Sequence, residues 1–174
     1  MPFAENTGRP SKFIALHFNN PVWITETADV MPHPGTSEDV FNLIVEFSRS
    51  IGLIPIILKT EHPGYIINTL LISLMESSMS LVVSGVATPQ QVDKSWMATM
   101  KTPIGPFGIM DNNGLDVGWE MRVKNTEKSG DKVALATVKY MKENFIDKGH
   151  LGRKTGKGFY NYPHPEYKHP DFMK

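Results

Sequence analysis

The spacing of apolar residues separates a front part with strands from a back part without them. Residues 12–18 form a short apolar run behind Arg9 and Pro10, with the length and composition of a buried strand, and His17 falls near its C-terminal end. After the turn-like Asn19-Asn20-Pro21, Thr27–Met31 is a weaker second strand, closed by Pro32-His33-Pro34-Gly35. The period then changes from two to about 3.6. Thr36 is placed to cap a helix with Asp39 three residues on, Val40, Phe41, Ile44, Val45 and Phe47 supply its apolar face, and Gly52 stops it. Residues 54–59 are a third strand, with Pro55 marking its start or an edge. Every later periodic segment predicts helix. The first covers residues 63–84 and is ended by Gly85; the second opens at the capping sequence Thr88-Pro89-Gln90-Gln91 and runs to about Met100. A third, interrupted at Gly114, runs from Phe107 or Asp116 to Asn125, and a fourth covers residues 132–146 after a polar loop at 127–131. Residues 149–174 are a glycine- and proline-rich tail carrying Phe159, Tyr160, Tyr162 and Tyr167. The fold class is therefore mainly α: a short α/β piece over residues 1–60, then an all-helical part over residues 61–174. Two or three strands leave one face and an edge unpaired, so the α/β piece reads as the end of a larger sheet.

Composition narrows the function classes. At 40% hydrophobic and 21% charged the chain is globular, and 18 basic against 18 acidic residues leave no net field to gather nucleic acid or an anionic membrane. There is no cysteine, which excludes disulfides and thiolate metal sites. The start, Met1-Pro2-Phe3-Ala4-Glu5, lacks a signal-peptide layout, and the most apolar stretch, residues 66–83, is interrupted by Asn68, Thr69, Glu76 and several serines. The expectation is a soluble cytoplasmic protein. Leu70, Leu71, Leu74, Met75, Leu81, Val82 and Val83 spread apolar surface over more than one helix face, which predicts a homodimer.

His17 carries the most chemistry. A histidine at the end of a strand, ahead of a turn, meets a ligand from a rigid support, and an ordinary imidazole suits proton transfer near neutral pH. On composition alone it reads more readily as a satisfied core histidine. The other five histidines, His33, His62, His150, His164 and His169, show no metal-site spacing and read as surface or turn residues. Met75, Met79, Met97, Met100, Met110, Met121 and Met141 read as core or dimer-face filler. The segment at 152–158, with Arg153, Lys154 and Lys157, is either a backbone phosphate cradle or a tight connection that docks Phe159 and Tyr160; the second is favoured. No Gly-x-Gly-x-x-Gly follows any strand.

Four segments together resemble the C-terminal part of the 3-hydroxyacyl-CoA dehydrogenase family. They are Ala15-Leu16-His17-Phe18-Asn19-Asn20-Pro21; Pro63-Gly64-Tyr65-Ile66-Ile67-Asn68; Pro103-Ile104-Gly105-Pro106-Phe107 with Asp111 and Gly114-Leu115-Asp116; and Leu151-Gly152-Arg153-Lys154-Thr155-Gly156-Lys157-Gly158-Phe159-Tyr160. The resemblance implies a Rossmann-like domain that holds NAD, a helical dimerisation domain like the C-terminal domain of 6-phosphogluconate dehydrogenase, and acyl-CoA bound between them. This chain would keep the last strands of the first domain and all of the second, so it would neither bind NAD tightly nor turn over alone. The implied reaction is NAD-dependent oxidation of an (S)-3-hydroxyacyl-CoA to a 3-oxoacyl-CoA in fatty acid metabolism. The implied catalytic residues are His17 as base, Asp29 as the carboxylate that fixes its tautomer, and Asn68 as an amide beside the histidine and the reacting oxygen. Asp29 stands where the family has a longer glutamate; it also reads as a surface aspartate, with Glu26 the neighbouring fallback. Asn68 also reads as a helix-to-loop hydrogen-bonding residue. Asn19 replaces an aromatic residue that normally shapes the site, and Thr69 replaces an arginine. The competing class is a non-enzymatic dimerisation or acyl-CoA-binding module.

Overall fold

The structure, a computed structural model, describes residues 3–129 and 131–174. Met1 and Pro2 of the N-terminal start, and Gly130 of the predicted polar loop, lie outside the described residues. The chain packs as two units, Met1–Leu71 and Ile72–Lys174.

The first unit is a three-stranded sheet in the order β1 (Ala15–Phe18), β2 (Thr27–Met31), β3 (Ile54–Ile57). β1 and β2 run antiparallel, and β2 and β3 run parallel, joined by helix α2 (Glu38–Ser50). Between β1 and β2 the chain makes a single-turn helix, α1 (Val22–Thr25). β2 is central, which explains why its apolar residues Ala28 and Val30 are fully buried. β3 lies at an edge, where Pro55, having no N–H to donate, is tolerated. Ile54 and Ile57 are accordingly more exposed.

Two local expectations fail for identifiable reasons. Thr36 does not cap α2, because its hydroxyl donates to the Phe13 carbonyl at 2.7 Å and accepts the His33 N–H at 3.0 Å. Ser37 takes the cap position instead, and its hydroxyl beside Asp39 holds that carboxyl below its ordinary value. His33 is not a surface histidine: it is buried, Nε2 lies 2.8 Å from the Pro10 carbonyl, and Nδ1 accepts the Gly35 N–H. It ties the loop after β2 to the segment before β1.

The second unit is helical. α3 (Tyr65–Val83) enters it from the first; α4 (Pro89–Met100), α5 (Pro106–Asn113), α6 (Leu115–Ser129) and α7 (Lys132–Asn144) follow. Thr88 caps α4 by accepting the Gln91 N–H, and Gly114, at φ +93°, makes the break between α5 and α6. α6 continues through residues expected to be loop, and α7 starts behind Asp131, whose carboxylate accepts the Val133 N–H at 2.8 Å. By length and composition alone, α3 is apolar enough to cross a membrane. Only Ser78 and Met79 on it are buried, while Leu70 and Leu81 stand exposed.

The core gathers Met79, Met97, Met110, Met141, Phe107 and Tyr160 among others, so four of the seven singled-out methionines are core; Met100 and Met121 are exposed. Two carboxylates are buried inside this core. Asp93 on α4 accepts the Phe107 and Gly108 N–H groups that open α5, plus the Tyr160 hydroxyl at 2.9 Å. Asp111 on α5 accepts the Phe159 and Tyr160 N–H groups of the tail, plus the Tyr162 hydroxyl. The 152–158 segment is thus the tight connection that docks Phe159 and Tyr160. Gly158 is required there, since a Cβ would overlap the Asp111 carboxylate.

Candidate active site

The antiparallel register sets His17 directly opposite Asp29. Directly opposed residues on neighbouring strands point to the same side of the sheet. Nδ1 of His17 lies 3.1 Å from Oδ2 of Asp29, whose side chain is 1% exposed against 30% for the histidine. A carboxylate accepts, so Nδ1 carries the hydrogen and Nε2 is left bare as a base. The Tyr65 ring lies flat on the imidazole, centroids 4.1 Å apart and planes within 8°. Tyr65 opens α3 in the left-handed region, φ +53°, directly after Gly64, also left-handed at φ +86°. Sequence reasoning passed over this tyrosine, although the glycine before it marks a turn able to aim it.

Asn68 stands three residues further along α3, half-buried, and its amide makes no hydrogen bond among the described residues. The reading of Asn68 as a helix-to-loop hydrogen-bonding residue fails, because a half-exposed amide is not desolvated and needs no protein partner. Glu26 ends α1 with φ +50° and has no contact with His17 among the described residues. Of the two carboxylates weighed for the imidazole, the structure brings Asp29 to it. Asn19, expected only to alter the shape of the site, joins the pair: its Nδ2 lies 3.2 Å from Asp29 Oδ2 and 3.1 Å from Thr27 Oγ1.

A cleft of about 480 Å³, lined mainly by apolar side chains including Ile57, Leu58, Ile66 and Leu70, shares Tyr65 with this cluster. A larger cleft of about 710 Å³ lies in the helical unit around Glu76, Leu81 and Arg122. Burial holds the Arg122 guanidinium below its ordinary value, against the opposing pull of Glu76. The described residues that line it include no histidine, so size alone does not make it the reactive centre. Among the described residues no group of three or more metal-ligating side chains exists.

An imidazole held by a buried carboxylate has the chemistry to take a proton from a bound hydroxyl. Residues 2–61 match the model of the 3-hydroxyacyl-CoA dehydrogenase NAD binding domain, and residues 64–162 match that of its C-terminal domain. The chain belongs to the 3-hydroxyacyl-CoA dehydrogenase family. It is 33% identical over 160 residues to the 3-hydroxybutyryl-CoA dehydrogenase of Clostridioides difficile, covering 91% of this chain and 56% of that protein. It is 32% identical over 166 residues to the human mitochondrial hydroxyacyl-coenzyme A dehydrogenase, covering 91% and 50%. A solved diketoreductase, described as acting on dicarbonyl compounds, superposes with a TM-score of 0.82 at 42% identity, covering 91% of this chain and 54% of that one. The chain thus spans about half the length of the curated relatives it matches.

NAD is the cofactor of this family. The residues present fit only part of its demands. A dinucleotide needs backbone N–H groups converging on its pyrophosphate, normally at a glycine-rich strand-to-helix turn. No such glycine pattern follows β1, β2 or β3.

Proposed function

We propose that this chain is the proton-handling and helical portion of an NAD-dependent 3-hydroxyacyl-CoA dehydrogenase, in which His17 is the general base for oxidation of an (S)-3-hydroxyacyl-CoA to the 3-oxoacyl-CoA. The observation that carries this reading is the 3.1 Å bond between His17 Nδ1 and the buried Asp29 carboxylate. It leaves Nε2 free to take the 3-hydroxyl proton, while NAD, when bound by the complete enzyme, accepts the hydride. Asp29 stabilises the imidazolium that forms, and Tyr65 restricts the ring's tilt. In the reduction direction Nε2 returns the proton. Asn68 orients the histidine or the reacting oxygen; its unengaged amide supports this role, having no other partner to give up. The apolar cleft that shares Tyr65 with the imidazole suits the acyl chain. The domain assignment proposed is an α/β end of a Rossmann-like domain over residues 1–60, joined to a domain like the C-terminal one of 6-phosphogluconate dehydrogenase over 61–174.

The 174 residues alone are expected neither to bind NAD tightly nor to turn over, and calorimetry measuring low-micromolar NAD binding by them would overturn that expectation. Joined to a dinucleotide-binding half, the protein is expected to oxidise short 3-hydroxyacyl-CoA thioesters, 3-hydroxybutyryl-CoA first. A kinetic series across acyl lengths, with a dicarbonyl compound as a parallel substrate, tests this. Turnover of the dicarbonyl alone would transfer the assignment to another substrate class; no turnover of any thioester would sink it.

We further propose a homodimer formed through α3, supported by the exposed Ile66, Ile67, Leu70 and Leu81 on a helix with two buried residues. Sedimentation at micromolar concentration is expected to give twice the 19.5 kDa chain mass. A monomer would contradict it, and partition into vesicles would reassign the face to lipid.

A further inference from the structure

We propose that Asn19 is a positioning residue for the acid–base pair, holding the Asp29 carboxylate where His17 Nδ1 can donate to it. The inference rests on the proposed roles of His17 and Asp29 but is argued from geometry they share with Asn19.

His17 and Asn19 are two residues apart at the end of β1, and Thr27 and Asp29 are two apart on β2. A period of two sets each pair on one side of its strand, and the antiparallel register brings the two pairs face to face. The result is a chain of three side-chain bonds from His17 to Thr27. Asp29 Oδ2 accepts from His17 Nδ1 at 3.1 Å and from Asn19 Nδ2 at 3.2 Å, and the same Nδ2 donates to Thr27 Oγ1 at 3.1 Å. A primary amide has two hydrogens, so one nitrogen can serve both acceptors.

Asn19 is itself fixed from both sides. Its N–H donates to the Thr27 carbonyl at 3.2 Å, and its carbonyl accepts the Thr25 hydroxyl at 2.6 Å. An aspartate turns about two side-chain torsions, and one bond from an imidazole does not stop both. The second donor does. An amide is also suited to the task because it carries no charge. A lysine or arginine there would pair with Asp29 and compete with the imidazolium that Asp29 must stabilise. Asn19 orients the carboxylate and leaves its negative charge for His17.

The tautomer of His17 reads this directly. In the unaltered chain, nitrogen NMR of the His17 ring is expected to show the hydrogen on Nδ1. Asn19→Leu removes the donor at similar size, and Asn19→Ala removes it without adding charge; both are expected to move a substantial fraction of His17 to the Nε2–H form. Thr27→Val removes the other partner of Nδ2 and is expected to leave the tautomer as it was. In the complete enzyme Asn19→Leu should lower kcat roughly 5–10-fold, the size of one net hydrogen bond, with KM within about 2-fold. If Asn19→Leu does not fold, Asn19→Ala carries the measurement. An unchanged Nδ1–H signal in the folded variants, or an equal change in Thr27→Val, would overturn the proposal. The ring signal is read without substrate, so a failure of the 3-hydroxyacyl-CoA assignment would appear in turnover and not here.

Discussion

Replacing His17 with glutamine is expected to lower the rate of 3-hydroxyacyl-CoA oxidation by about 10²–10⁴-fold in the enzyme that carries this chain, the usual contribution of a positioned base. Glutamine fills similar space and can still bond Asp29, so folding and NAD affinity should stay near those of the parent. The loss should fall on kcat and kcat/KM alike, because Nε2 acts on a proton that moves only in the transition state. Asp29→Asn should cost at most as much, since the carboxylate acts only through the ring. Steady-state kinetics with calorimetry of NAD binding measures both effects. A His17→Gln enzyme within about threefold of the parent would remove His17 from the mechanism.

The second large effect concerns stability. Asp111→Ala is expected to strand two donors inside the helical core, the Phe159 N–H and the Tyr160 N–H, and to take one partner from the Tyr162 hydroxyl. Each unsatisfied buried donor costs roughly 1–3 kcal/mol, so the sum is a large share of the about 5–15 kcal/mol that holds an ordinary domain together. Gly158→Ala should be comparably severe, because the new methyl would occupy the space of the same carboxylate. The tyrosines stay protonated, as burial and the neighbouring aspartates push Tyr160 and Tyr162 well above their ordinary values. Their hydroxyls therefore remain donors. Burial, the largest influence, also raises the carboxyls of Asp93 and Asp111, against the N–H and hydroxyl bonds that favour ionisation. An acid whose folded value lies above its unfolded one stabilises most below the unfolded value, 3.8 here, and the contribution is lost as pH rises through the folded value. Denaturant unfolding across that range should show a part of the pH dependence that disappears in Asp111→Ala. A variant as stable as the parent at every pH would contradict the clamp.

Much of this was readable before the structure because local chemistry and long-range packing agree. The strand at Thr27–Met31, the cap at Thr88 and the break at Gly114 follow from turn and cap residues that act within a few positions. Asp29 was accessible for a different reason. The family resemblance places a carboxylate twelve residues after the histidine, and the antiparallel return of the chain sets position 29 beside position 17. Asn19 was half visible. Its polarity was evident, but its partner depended on the register, which a sequence does not print. Thr36 misled because a hydroxyl ahead of a helix has other acceptors, here the Phe13 carbonyl. His33 does head a turn, but the surface reading failed because the segment before β1 closes over it. Asp93 escaped altogether, and Asp111 was visible only as part of a resembling segment, without its role. Apolar periodicity registers what a helix buries and is silent on a carboxylate that meets backbone N–H groups from a distant segment. A helix opening at Gly105-Pro106 with no capping side chain of its own was the available sign for Asp93.

The central claim is that His17 and Asp29 work as one unit, and a double-mutant cycle on the oxidation rate tests it most directly. If the carboxylate acts only through the imidazole, His17→Gln with Asp29→Asn should lose little more than His17→Gln alone, far less than the product of the two single losses. Independent losses that multiply, or a silent Asp29→Asn, would contradict it.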